Sequence, residues 1–216
     1  QHHNESRLIM PSGHPGNYTS LTDVTRTWAE RMLYELVANP ALLLAVRVFL
    51  ALVFATAALS KLGHAEEFYG VVRNFRILPD GLSRLTALVL PVVELAVAAG
   101  LLIRATAVPA AIVGAALLTV FGMAIGINVL RGRTSIDCGC FRNGLKQQVG
   151  WALVVRNAAM AGAALIVAAL LPATTRPMPA EALVGLMAGL VALMLYLSAA
   201  ALGGLLAAQT ISSKGR

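Results

Sequence analysis

Two cysteines occur in 216 residues, and a single residue separates them: Cys138 and Cys140, in the stretch TSIDCGCFRNG from Thr134 to Gly144. A thiolate is both the nucleophile of disulfide exchange and a soft metal ligand. A neighbouring guanidinium or ammonium favours thiolate over thiol. Gly139 has no Cβ and lets the backbone turn sharply between the two sulfurs. A bond between them would close a cramped ring, and strain of that kind suits a transfer disulfide better than a structural staple. Closing so short a loop would also give a staple little stabilisation. A structural zinc site needs four ligands; His64 could supply a third, but the sequence shows no fourth, and no metal is expected. The remaining reading is two inert small residues in a loop.

Three charges fall inside apolar runs: Arg47, Glu94 and Arg156. A charge at mid-membrane costs about 2.5–3.5 kcal/mol on insertion scales, so it should face a partner or a wet cavity. Glu94 is too short and too deep to reach the headgroups and needs a cation. Arg156 or Arg47 could supply it, although either arginine could instead snorkel to the interface. Lys61 ends the first apolar run on the side of the cysteines, and Arg156 follows them closely. Lys61, Asp137, Cys138, Cys140 and Arg156 are therefore expected around one polar pocket with Glu94 below it. Asn128 and Asn157 are further buried polar candidates on that side.

The elements that must position these groups are apolar. Hydrophobic residues make up 58% of the chain and charged residues 12%, with a mean hydropathy of +0.76. Soluble domains carry about 25% charge. Five runs, 41–60, 85–103, 105–130, 151–171 and 181–208, each approach or exceed the roughly 20 residues that cross about 30 Å of hydrocarbon. Backbone groups in lipid must bond within their own segment, which makes the runs helices. Arg104 alone separates the second and third, a tight hairpin. Pro91 and Pro109 predict kinks or early turns. Gly122 with Gly126, and Gly185 with Gly189, permit close helix contact and read as packing rather than as a dimer code. Residues 1–40 read as a polar tail followed by an interfacial amphipathic helix, in which Trp28, Met32, Leu33, Leu36 and Val37 recur at helical spacing. Residues 41–171 form the membrane core, and 172–216 add a fifth crossing and a short tail.

The net charge of +7 lies mostly in the joints between apolar runs. With no basic stretch interleaved with aromatics, it points to the lipid bilayer and not to nucleic acid. Ten Lys and Arg residues fall on the cysteine side, from Lys61 to Arg216, against five on the other: Arg7, Arg26, Arg31, Arg104 and Arg176. That count places the cysteines at the cytoplasm, where thiols are kept reduced.

RVFLALVFATAALSKL, PVVELAVAAGLL with its Glu94, and DCGCF followed by GWALVVRN together resemble the MauE/DoxX-like family of redox-associated membrane proteins, in particular its methylamine-utilisation MauE branch. The match spans roughly residues 41 to 171. The resemblance implies an all-α, polytopic membrane bundle: a DoxX-like four-helix core, a fifth transmembrane helix and the N-terminal amphipathic helix. It implies work beside a thioredoxin-like protein in handling disulfides outside the cytoplasm, or in maturation of a redox enzyme, with Cys138 and Cys140 as the redox pair. Glu94 and Arg156 would then be buried partners, with Lys61, Asp137 and Asn157 beside them. The cysteine loop would face outward from a bacterial inner membrane, against the charge count; because the first crossing usually dominates orientation, the outward placement is the expectation. Such a chain would be a thiol–disulfide oxidoreductase, requiring no cofactor beyond a Cys138–Cys140 disulfide. A non-catalytic subunit anchoring a larger membrane redox complex is the alternative. A quinone-linked oxidase is a third reading, although nothing in the sequence names a quinone.

Overall fold

The computed structural model describes residue 32, residues 35–133 and residues 150–214. Among the described residues the regular structure is helical throughout: α1 (Pro40–Leu62), α2 (Ala65–Asn74), α3 (Asp80–Leu102), α4 (Ala107–Leu130), α5 (Trp151–Leu170) with a 3-10 turn at Leu171–Ala173, and α6 (Pro179–Lys214). Five of these segments are long and apolar enough to cross a membrane: Pro40–Leu62, Asp80–Leu102, Ala107–Leu130, Trp151–Ala173 and Pro179–Gly203. The protein is a polytopic helical membrane protein, as the hydropathy predicts. Large apolar side chains such as Leu88, Val92, Val120 and Leu195 are exposed on its outer faces, where lipid rather than water would meet them.

The chain divides into two units, Gln1–Leu36 and Val37–Arg216. In the first, Met32, Glu35 and Leu36 are helical and exposed; the rest of the expected amphipathic helix in that unit lies outside the described residues.

In the second unit, helix ends follow local chemistry. Asn39 caps α1, its side-chain oxygen accepting from the amides of Ala41 at 2.9 Å and Leu42 at 3.2 Å, and Pro40 occupies the first turn, where a missing N–H costs nothing. Pro109 likewise falls in the first turn of α4. Pro91 is buried within α3, and the helix continues on both sides of it. Gly132, with φ +70°, closes α4 in the left-handed region, and the Arg133 amide bonds back to the Asn128 carbonyl at 3.0 Å.

Two boundaries differ from expectation. Helix α3 begins at Asp80, five residues before the apolar run at 85, because hydropathy marks the length in lipid and DGLSR continues the helix beyond it. The connection between the first two runs contains α2, which is too short to span and so leaves no hydropathy signal.

Helix α1 is the centre of the packing. It lies against α3, α5 and α6, while α3 packs on α4 and α4 on α5, so α1, α3, α4 and α5 close a four-membered ring. Leu50, Phe54, Val97, Leu101, Ala111 and Val167 fill its core. Without a hydrophobic drive between helices in lipid, close backbone approach supplies the attraction. Along α6, a Cβ at Gly185 would stand 2.7 Å from the Ala41 carbonyl oxygen, and one at Gly189 2.9 Å from that of Ala45. This small-residue pair is thus used within the chain, to seat α6 on α1.

Candidate functional site

Lys61 lies in the last turn of α1, yet its side chain is buried. Helical side chains lean toward the N-terminus of their helix, and Nζ accordingly reaches back into the bundle, 3.4 Å from the Ala57 carbonyl. There it meets the carboxylate of Glu94 on α3, at 2.7 Å to Oε1 and 2.8 Å to Oε2. Both side chains are about 3% exposed or less. Two rings bracket the ammonium: the Phe68 centroid of α2 at 5.3 Å and the Phe121 centroid of α4 at 5.7 Å, within cation–π range. Helix α2, unmarked in the sequence, therefore contributes to the site. Neither Arg47 nor Arg156 is the cation that Glu94 bonds; the short carboxylate is met by a long side chain descending from the helix end.

A cavity of about 40 Å³ adjoins this pair, lined among others by Lys61, Glu94, Arg156, Asn157, Phe121 and Tyr196. Its wall is mostly apolar, but Lys61, Glu94, Arg156 and Asn157 supply polar partners, and it is large enough for a water. Arg156, five residues into α5, is half-buried, with its guanidinium carbon 5.6 Å from the Tyr196 ring centroid of α6. Phe49 of α1 meets the same ring edge-on at 5.8 Å. Asn157 is buried and donates to the Leu153 carbonyl at 2.8 Å. Four residues singled out from the sequence, Lys61, Glu94, Arg156 and Asn157, therefore share one cavity. Asn128 lies outside its lining: fully buried, it donates to the Ala124 carbonyl at 3.0 Å, and its Oδ1 has no hydrogen-bond partner. Phe121 and Tyr196 carry no positional signal in the sequence because they are aromatics within apolar runs, and Phe68 carries none because it lies in the polar connection between runs.

Arg47 does not snorkel. It is 4% exposed and donates from Nε to the Leu101 carbonyl at 2.8 Å and from Nη2 to the Leu102 carbonyl at 3.1 Å. The last four carbonyls of a helix lack partners within it. In α3 all four are met: Ala99 by the Ile103 amide, Gly100 by the Thr106 hydroxyl, Leu101 and Leu102 by Arg47. The adjacent Arg104 reaches across to the carbonyls of Leu171 and Thr174, tying the α3–α4 turn to the end of α5.

Asp137, Cys138 and Cys140 lie outside the described residues. The segment that holds them leaves from the end of α4 and returns at Trp151, the start of α5. Arg156, five residues into α5 and lining the cavity of Lys61 and Glu94, follows that return point directly. His64, the residue considered as a third metal ligand, is exposed at the start of α2, its Nδ1 3.4 Å from the Ser60 carbonyl. No group of three or more His, Cys, Asp or Glu stands together among the described residues.

A family profile described as "Methylamine utilisation protein MauE" matches residues 39–170, the stretch from the α1 cap to the end of α5. The chain is 60% identical over 184 residues to the "Methylamine utilization protein MauE" of Paracoccus denitrificans, covering 84% of this chain and 99% of that protein. It is 59% identical over 186 residues to that of Paracoccus versutus, covering 85% and 100%. A third, from Methylorubrum extorquens, is 48% identical over 174 residues, covering 81% and 94%. No solved structure matches the chain.

Proposed function

The chain belongs to the MauE family, and from that premise we propose that it is a membrane accessory protein of methylamine utilisation whose Cys138–Gly139–Cys140 segment exchanges disulfides with a thioredoxin-like partner. In the oxidising direction a partner thiolate attacks the Cys138–Cys140 disulfide, forming a mixed disulfide and releasing one cysteine of the pair as thiolate. The partner's second thiolate then attacks the mixed disulfide. The partner's own disulfide closes, and Cys138 and Cys140 are left as a dithiol. Two electrons pass from partner to pair, and the reverse sequence reduces the partner. The exchange requires no cofactor, and no step is routed through a quinone.

The observation that carries this reading is the conjunction of one Cys-x-Cys with a buried polar cluster beside its anchor points. Lys61, Glu94, Arg156 and Asn157 share a cavity in a membrane bundle, where ionisable groups are functional candidates by default. Positive groups near a thiol favour the thiolate that exchange requires. Asp137, adjacent to Cys138, belongs to the supporting polar pocket in this reading. In this reading the loop faces outward from a bacterial inner membrane, where thioredoxin-like partners maintain disulfides.

Single Cys138→Ser and Cys140→Ser variants test the exchange. One of them should accumulate a covalent adduct with the partner in acid-quenched, non-reducing gels, and the double variant should form none. If both single variants leave the partner's oxidation state as in wild type, the redox role is gone. Labelling by a membrane-impermeant maleimide should reach the cysteines from outside intact cells after reduction; labelling only after the membrane is opened would reverse the orientation.

A second reading, a non-catalytic anchor subunit, is favoured by one observation. Among the described residues the α6 span is the least buried of the five, 17% against 33–44% for the others, so much of its apolar surface is left uncovered by them. Stoichiometric co-purification with a membrane complex that persists in the Cys138→Ser/Cys140→Ser variant would support this reading over exchange.

A further inference from the structure

A second cavity of about 200 Å³ lies among α2, α3 and α4 and shares Phe121 with the lining of the ion-pair cavity. Phe68, Val72, Phe75, Leu90, Phe121 and Ile125 are among its lining residues, and the one polar side chain in that lining is Thr86. An apolar cavity of roughly 150 Å³ lined by such residues excludes water and takes an apolar guest. At its outer end the lining continues through Ile77 and Leu78 into a polar depression formed with Arg73, Arg76 and Asp80. The two cavities share those two residues, so the surface passes from hydrocarbon-like to charged over one turn of chain.

The charges at this corner are unequal. Arg73 is neutralised by Asp80, with Nε 3.0 Å from Oδ1. Arg76 and Arg131 are both exposed and lie together, the Arg131 guanidinium donating to the Arg76 carbonyl at 3.5 Å. Arg76 has φ +48°, a left-handed conformation uncommon outside glycine, asparagine and aspartate. The turn thus holds a strained arginine at the rim while Ile77 and Leu78 enter the apolar lining. Among the described residues, Glu66 and Glu67 are further carboxylates of this region, and they stand in the first turn of α2, at the end away from the rim.

We propose that this corner binds one anionic phospholipid, with an acyl chain in the cavity among α2, α3 and α4 and the phosphate between Arg76 and Arg131. The reasoning is charge complementarity joined to amphipathic shape. The apolar end lies between α2 and the spanning helices α3 and α4, and the charged end carries the arginine pair Arg76 and Arg131. A site for a wholly apolar guest would not need the arginines, and a site for a soluble anion would not need the cavity. Bound there, the lipid would hold α2, and with it the Phe68 ring over Lys61, against the bundle.

The full chain, purified in detergent after incubation with equimolar phosphatidylglycerol and phosphatidylcholine, tests this by native mass spectrometry. Wild type should retain a single phosphatidylglycerol with a preference of about thirtyfold, the factor expected from two arginines beside a headgroup of net negative charge. Arg76→Gln/Arg131→Gln should erase the preference while either lipid is still retained. Ala124→Trp, which fills the cavity, should abolish retention of both; Leu90→Phe is the milder control should the tryptophan variant not fold, and it should weaken retention severalfold. Equal retention of the two lipids by wild type, an undiminished preference in Arg76→Gln/Arg131→Gln, or a neutral isoprenoid displacing the phospholipid would each overturn the proposal.

Discussion

Helix α1 carries a buried cation near each end, and α3 answers both, in different ways. Arg47 meets the carbonyl end of α3, donating to the Leu101 and Leu102 carbonyls, which lie beyond the helix's own bonding. Lys61 meets the Glu94 side chain between two aromatic rings, beside a small cavity. The first arrangement is a helix cap: partial charges at a helix C-terminus, a planar donor fork and no carboxylate. The second joins two full charges whose removal from water is offset chiefly by each other, with the two rings and the Ala57 carbonyl also meeting the ammonium. A cap satisfies backbone that would otherwise be stranded in lipid, whatever the protein does. An ion pair beside a cavity satisfies no backbone need, because an apolar pair would fill the same space more cheaply. The Arg47 end is thus explained by folding alone, whereas the Lys61 end asks for a role.

That contrast can be broken at either end. The largest effect is expected from Glu94→Gln, which leaves the Lys61 ammonium buried without a counter-charge and should cost about 3–5 kcal/mol in unfolding measurements in detergent. Lys61→Met/Glu94→Leu should restore most of that loss, since apolar replacement of a buried pair is often neutral. In the exchange reading the double variant should nevertheless slow mixed-disulfide formation, separating stability from function. Unchanged exchange kinetics would return the Lys61 end to a purely structural role. Arg47→Met should cost less, about 1–3 kcal/mol, because it strands neutral carbonyls and no charge; hydrogen exchange should rise at the α3–α4 turn. A cost above that of Glu94→Gln would erase the distinction between the two ends. Arg47→Lys should lose about 1 kcal/mol, one hydrogen bond of the fork. Of comparable size, Phe121→Leu should cost about 1 kcal/mol by weakening the ring contact on Lys61 while leaving the ion pair in place.

The hydropathy pattern was enough to read the helical class and the five crossings, because the bilayer imposes one length and one bonding pattern on any segment within it. It also flagged Glu94 as a residue that must have a partner, and Lys61, Arg156 and Asn157 as neighbours on one side. It did not disclose which cation bonds Glu94. Lys61 sits at the end of its run and Glu94 well inside its own, and depth estimated from run boundaries sets them apart. The α3 helix starts beyond its apolar run, so the two helices are staggered, and the lysine side chain spans what remains. Helix α2 was equally invisible, since a ten-residue amphipathic segment resembles a polar connection until its phenylalanine is seen over the ammonium.

By itself, the sequence determined what lipid enforces locally: how many segments span, that they are helices, and that a lone carboxylate among them cannot stay unpaired. The tertiary structure alone decided the pairings: Arg47 with the carbonyls of α3, Lys61 with Glu94, α6 seated on α1 through Gly185 and Gly189. The physical reason is that spanning is a property of each segment's own backbone and hydropathy. A partner is chosen by stagger, rotation and side-chain reach between helices, and those quantities are fixed only when the bundle closes.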